Sequence, residues 1–196
     1  GFEIVQHEKN YFCIKDLSGT DVSGFDSALR RSFLLLTTMA EEIIVAVEKK
    51  DKEKLKNMYF SDRSINKFTN FCARELISIG DKGLKQTAFY YHFLRSLEAL
   101  ADQFSLFATY YADHLEPLPK EALVLYKKLF TLLTQFQTVF FKYDQEGVNV
   151  IFTELKKIDI KKYYNLENVD CVVIGFFDKI HRRLKEILDC VIEINL

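Results

Sequence analysis

Glycine and proline are scarce in this chain, which has seven glycines and two prolines among 196 residues. Turn-rich all-β folds depend on these residues, so their scarcity excludes a sandwich or barrel and favours long helices with short connections. Long apolar runs are also missing, and no signal-peptide pattern opens the sequence. We therefore expect a mostly α, soluble protein with no membrane insertion.

Paired cysteines and a charge imbalance are lacking as well. The four cysteines are widely spaced and include no Cys-x-x-Cys pair, which argues against a zinc or redox motif and for reduced thiols in a cytoplasm. The formal net charge of −1 predicts no basic surface of the kind that binds nucleic acid. DNA is therefore not an expected partner of this chain by itself.

What the sequence does have is a strongly periodic segment at residues 90–114. Its apolar residues recur at three- and four-residue steps, which places them on one side of a helix. The carboxylates Glu98 and Asp102 lie one turn apart beside this stripe, where like charges repel. A basic side chain, a proton or a bound cation would relieve the repulsion, and the sequence leaves all three open.

Five further segments have helical periodicity, and the first is predicted to begin at a cap formed by Asp26 or Ser27. Two sets of three helices with short connections predict two antiparallel three-helix bundles. We predict a helical domain over 26–196, with repeat halves at about 26–116 and 117–196. The helical segments run from the cap to near 50, over 51–80, over the 90–114 segment, from Pro119, over 148–164 and over 169–194.

A separate N-terminal segment, 1–25, precedes this helical domain. Residues 2–5 and 11–14 are β-prone and flank a polar stretch, which predicts a short β-hairpin. A lone hairpin is marginal in water. We therefore expect this segment to dock on the helices or to connect to an upstream domain or another subunit.

One stretch of the third predicted helix is similar to a known family. Residues 90–102 read Tyr-Tyr-His-x-x-Arg-x-Leu-Glu-x-x-Ala-Asp, which resembles the helix of PhoU-type phosphate-uptake regulators that ends in a Glu-x-x-x-Asp motif. The likeness covers about residues 26–196. Residues 1–5, 14–17 and 28–31 further resemble archaeal-style members, in which the helical region follows an AbrB-like DNA-binding β-domain.

The resemblance implies a PhoU-like six-helix repeat in a cytoplasmic, non-enzymatic regulator. Such a protein restrains a phosphate transporter and phosphate signalling through protein–protein contacts, commonly as a homodimer. DNA would be bound only through the missing upstream domain. The resemblance also implies a divalent or ferric metal ion as the cofactor, held by acidic motifs.

Carried over residue by residue, the metal motif is only partly present. Glu98 and Asp102 match the motif of the third helix in full. On the second helix Asp62 and Asn66 match with one carboxylate replaced by an amide. The implied metal ligands are therefore Glu98, Asp102 and Asp62. In the second half an aspartate and an arginine, Asp178 and Arg182, take the place of an acidic pair, and arginine is no cation ligand.

Two alternatives to this interpretation remain open at the level of the sequence. The carboxylates are explained more simply by a partly buried or exposed ion pair, with Arg95 three residues before Glu98 and further arginines on neighbouring helices. The alternative function is a metal-dependent helical-bundle enzyme. Di-metal enzymes of that class need Glu-x-x-His, and the nearest approach is at Asp178 and His181, where we expect a solvated histidine in a basic cluster. The further arginines are Arg30, Arg31 and Arg74.

We predict that this chain alone does not form a submicromolar complex with duplex DNA, because its charge is balanced and any AbrB-like domain would lie upstream. Fluorescence anisotropy of a labelled duplex titrated with the protein measures this. A tight complex that weakens steeply with salt would contradict the prediction.

Overall fold

The computed structural model describes residues 2–8, 11–16, 22–79, 83–166 and 169–195. Two strands come first, and seven helices follow them in the described chain, one of them a single turn. The elements are β1 (Phe2–Glu8), β2 (Tyr11–Asp16), α1 (Val22–Lys49), α2 (Lys52–Ile79), α3 (Gly83–His114), α4 (Lys120–Phe141), α5 (Gln145–Lys157), α6 (Lys161–Tyr164) and α7 (Cys171–Asn195).

The strands β1 and β2 pair antiparallel, with Ile4 opposite Ile14 and a shift in register between Ile4 and Gln6. The turn of the predicted hairpin falls on residues 9–10, which lie outside the described residues. The hairpin and its docking therefore stay predictions.

Helices α1, α2 and α3 pack against one another as one three-helix unit. The connection from α1 to α2 is only Lys50 and Asp51, so the chain must reverse there and the two helices run antiparallel. Lys50 adopts a φ of 53°, as residues that end helices commonly do. The Asp51 carboxylate then accepts a 2.9 Å hydrogen bond from the Lys54 amide and caps α2.

The predicted start of the first helix is wrong by several residues, since α1 begins at Val22 rather than at Asp26 or Ser27. The earlier turn is helical because Phe25 is buried in the core, where its carbonyl lies 3.6 Å from the Cys72 thiol of α2. Burial of an aromatic side chain contributes about 1.5 to 3 kcal/mol, which outweighs the about 1 kcal/mol that an Asp or Ser cap contributes.

Helices α4, α5 and α7 form the second three-helix unit. The predicted helix over 148–164 is wrong at its start and is broken within, while its predicted end coincides with the end of α6 at Tyr164. It starts earlier because Asp144 caps α5 through the amides of Glu146 and Gly147. It stops at Lys157 because Ile158 and Ile160 turn into the core, and the short α6 then starts afresh.

Aromatic side chains join the two units. Phe107 of α3, Tyr126 of α4 and Phe177 of α7 form a fully buried cluster with ring centroids 5.1 to 5.7 Å apart. At the other end, Phe93 of α3 stacks on Phe140 of α4 at 4.4 Å. Helix α4 is apolar over much of its circumference and lies between the halves, contacting α1, α5 and α7.

In the described part of the chain, no helix combines the length and apolar character needed to cross a bilayer.

The Tyr126 hydroxyl gives a test of the contact between the units, because it donates a 2.7 Å hydrogen bond to the Ala40 carbonyl of α1 in a buried setting. We expect Tyr126→Phe to lower the free energy of unfolding by about 1 to 2 kcal/mol, since the lost bond has no solvent replacement. Urea unfolding followed by circular dichroism measures this. Tyr143→Phe is the matched control, because the Tyr143 hydroxyl bonds Gln145 at the exposed surface. Equal effects of the two changes would contradict the prediction.

Candidate functional site

The three predicted metal ligands come from facing turns of α2 and α3. Asp62 lies on α2 and is 8% exposed, while Glu98 and Asp102 lie half-buried on α3. The antiparallel packing of the two helices brings Asp62 level with Asp102. The structure therefore places the carboxylates of a local motif, Glu98 and Asp102, beside a third that is distant in sequence.

The Asp62 and Asp102 carboxyl groups lie close enough for a side-chain hydrogen bond. Such a bond needs a proton on one of them, because two ionised carboxylates have none to donate. Burial, the negative charge of Asp102, this hydrogen bond and the charge of Glu98 together raise the pKa of Asp62 from 3.8 to about 6. A proton is thus one way in which this pair relieves its repulsion.

Glu98 has a different partner, the guanidinium of Arg95. Arg95 Nη1 donates a 2.6 Å hydrogen bond to Glu98 Oε2, and its Nη2 donates a 2.8 Å bond to Asn70 Oδ1 on α2. Arg95 therefore neutralises Glu98 and ties α3 to α2. A basic side chain, rather than a proton or a cation, therefore offsets the charge of Glu98 in this structure. The guanidinium of another arginine, Arg30, lies 4.2 Å from the ring centroid of Phe141.

A metal ion fits this site only in part. Within the described residues, no three histidine, cysteine, aspartate or glutamate side chains are close enough together to hold a metal ion, and Glu98 is engaged by Arg95. On the other hand, Asp62 Oδ1 and Asn66 Oδ1 are buried without a hydrogen-bond partner in the described chain. Oxygen donors of this kind suit a hard cation. The donor chemistry of Asp62, Asp102 and Asn66 thus fits such an ion, and Glu98 would join it only by leaving Arg95.

The corresponding place in the second half holds an ion pair. Arg182 Nη2 donates a 2.6 Å hydrogen bond to Asp178 Oδ2, one turn away on α7. The Asp178 carboxylate is thus paired with an arginine, in agreement with the expectation that this position is no cation site. It supplies no acidic cluster comparable to that of α2 and α3.

The prediction that His181 is solvated is wrong. His181 is 4% exposed, and its Nε2 lies 2.9 Å from the Leu155 carbonyl of α5. Burial lowers its pKa, which favours the neutral ring that donates this bond. The available signal was periodicity, because position 181 continues the apolar stripe of Ile174, Phe177 and Leu184.

Comparison with known proteins places this geometry in context. No family model matches the sequence, and no curated protein matches it either. Among solved structures, the chain is similar to the phosphate transport system regulatory protein PhoU from Streptococcus pneumoniae. The TM-score is 0.71 at 16% sequence identity, over 88% of this chain and 94% of that one. The fold is PhoU-like.

At 16% sequence identity the structural similarity establishes the fold alone and does not test the more specific predictions. The AbrB-like upstream domain, the homodimer and the bound metal remain predictions from the sequence. The helical-bundle prediction is confirmed, because the likeness and the two packed three-helix units agree.

The raised pKa of Asp62 predicts how stability depends on pH. The native state holds this proton up to about pH 6, whereas the unfolded chain releases it near the ordinary value of 3.8. The native state therefore binds more protons in that interval. The proton bound to native Asp62 therefore stabilises the fold fully at low pH. This stabilisation falls as the pH rises from about 3.8 to about 6, and it is lost at higher pH.

Asp62→Asn removes this titration and lets an amide donate to Asp102. In chelator-treated protein we expect the variant to be more stable than the parent above about pH 6, by up to about 3 kcal/mol for a shift of this size. Urea unfolding across pH 4 to 8 measures both effects. Asp178→Asn, at an exposed ion pair, is the control and should change stability little. A less stable Asp62→Asn protein, or an unchanged pH profile, would show that Asp62 does not have the raised pKa.

Proposed function

We propose that this chain is a cytoplasmic regulatory module that restrains phosphate uptake and phosphate signalling through protein–protein contacts, acting as a homodimer. The observation that carries the proposal is the PhoU-like fold, matched over 88% of the chain. The acidic motif at Glu98 and Asp102 supports it, since it occupies the helix where the sequence resembles that family. The partner is a phosphate transporter or a signalling protein.

The site supports a role in setting how firmly α2 is held against α3. Asp62 and Asp102 repel each other across the two helices unless a proton or a cation is present. Arg95 opposes this repulsion by bonding Glu98 on its own helix and Asn70 on α2. The packing of these helices, which would present their outer surfaces to a partner, therefore responds to what neutralises the carboxylates.

We propose a divalent or ferric ion as the physiological cofactor of this site. Asp62, Asp102 and Asn66 would hold it, and Glu98 would join by exchanging Arg95 for the ion. The ion would supply the positive charge that two facing carboxylates need. The remaining residues of α2 and α3 position these oxygens and exclude water through the core beneath them.

The enzyme alternative is not proposed, because no observation favours it. The histidine nearest to the required Glu-x-x-His pattern, His181, is buried and lies 2.9 Å from the Leu155 carbonyl of α5.

Deletion of the gene tests the proposed function. In cells grown with ample phosphate, we expect the deletion to at least double the initial rate of phosphate uptake, because restraint on the transporter is lost. Radiolabelled phosphate uptake measures this, with sulfate uptake as the control and complementation by the intact gene. Unchanged phosphate uptake in the deletion strain would refute the proposed function.

Thermal melting tests the cation separately. If a cation is held, chelation should lower the melting temperature, since a ligand that binds the native state stabilises it. Asp102→Asn should remove this sensitivity and leave the metal-free protein as stable as the parent or more so, because it removes one of two like charges. Asp113→Asn is the matched control on the same helix, where the carboxylate pairs with exposed lysines. Indifference of the parent protein to chelator would reject the cation and leave the proton as the relief mechanism.

A further inference from the structure

The solvent-facing side of α2 has an unusual composition. One stripe of residues at three- and four-residue spacing runs along it for most of its length, and every member is exposed. We call this stripe the α2 outer face. Its members are Phe60, Arg63, Lys67, Asn70, Arg74 and Ile77.

Every exposed charged side chain of α2 between residues 57 and 78 is basic. The two acidic residues of this stretch, Asp62 and Glu75, are each only 8% exposed. Beside the stripe on α3, the carboxylate of Glu98 is occupied by Arg95. The exposed side of α2 over this stretch therefore carries only positive charges, although the chain as a whole has a net charge of −1.

Large apolar side chains mark both ends of the α2 outer face. Phe60 is 63% exposed and Ile77 is 66% exposed, the two largest values among the exposed large hydrophobic residues. Tyr59 lies next to Phe60 with ring centroids 5.8 Å apart, and the Arg63 guanidinium lies 5.7 Å from the Tyr59 ring. Exposed aromatic and arginine side chains together are typical of the energetically dominant residues of protein interfaces.

We propose that the α2 outer face binds an acidic amphipathic helix of a partner protein. The arginines would pair with carboxylates, a geometry in which guanidinium groups form two parallel hydrogen bonds. Phe60 and Ile77 would each contact an apolar side chain near one end of the partner helix. The inference rests on the proposed function only in taking the partner to be a transporter or a signalling protein.

Charge and spacing disfavour the other occupants. A second copy of this chain would bring the same positive side chains face to face, which costs binding free energy. A bilayer surface is bound by a continuous apolar strip, whereas here basic and amide side chains separate Phe60 from Ile77. Nucleic acid would use the basic residues but would leave these two apolar side chains exposed.

A designed peptide provides the test. The probe is a fluorescein-labelled helical peptide of about 20 residues, long enough for the roughly 25 Å between Phe60 and Ile77, with a row of glutamates between terminal leucines. We expect saturable micromolar binding by anisotropy. We also expect the Arg63→Glu/Arg74→Glu variant to bind the peptide about tenfold more weakly or worse. The matched control is Lys156→Glu/Lys185→Glu, which changes the same charge on α5 and α7 and should bind as the parent does.

The proposal would be overturned by the absence of binding, by equal binding of the same peptide with glutamines in place of its glutamates, or by an equal loss of binding in the control variant. Vesicles of phosphatidylcholine and phosphatidylserine that bind the parent but not the Arg63→Glu/Arg74→Glu variant would replace the partner helix by a membrane surface. Circular dichroism and melting curves establish that both variants are folded.

Phosphate uptake in the deletion strain separates this inference from the proposed function. If the peptide does not bind but the deletion still raises phosphate uptake, only the proposed role of the α2 outer face is refuted. If the peptide binds but phosphate uptake is unchanged in the deletion strain, only the proposed role in phosphate uptake is refuted.

Discussion

Helix α3 packs on both of its sides, against α2 in the first half and against α7 in the second, and the rest of the structure depends on this double packing. It requires apolar residues over most of its surface, and Phe93, Leu97, Phe104 and Phe107 are fully buried. Charged residues can then lie only along its edges. Glu98 and Asp102 lie on the edge that faces α2, which is why a strongly apolar helix carries an acidic site at all.

The acidic edge is tolerated because the core around it is large. A carboxyl group whose pKa is raised to about 6 destabilises the native state at neutral pH, by up to about 3 kcal/mol. Domains of this size are stable by only about 5 to 15 kcal/mol in all. A cost of that size is significant, and structures retain such groups most often at functional sites. Arg95 limits the cost by neutralising Glu98 and bonding α2 through Asn70.

The features that depend on local periodicity were predictable from the sequence, and those that depend on contacts between helices were not. The apolar stripes of α1 to α4 and α7 predicted the helices, and Arg95 was considered for Glu98 because the two lie three residues apart. The approach of Asp62 to Asp102 depends on how α2 is aligned with α3 over 40 positions of sequence, which no local pattern specifies. The break after α5 arises in the same way, from Ile158 and Ile160 packing into the core. The burial of His181 follows the apolar stripe of its own helix, but its contact with the Leu155 carbonyl of α5 does not.

Helix α2 also shows how one constraint produces two surfaces. The helical period of α2 buries Asp62 and Glu75 and exposes Arg63 and Arg74. The burial of the acidic residues and the exposure of the basic ones therefore have the same cause. Arg95 connects the two sides, because it bonds Asn70 of the α2 outer face while it neutralises Glu98 of the acidic site. If Glu98 turns to a cation, Arg95 loses its anionic partner and the surface beside Asn70 gains an unbalanced positive charge. Binding at the acidic site and attraction of an acidic partner to the outer face would then increase together, as linkage between two sites requires.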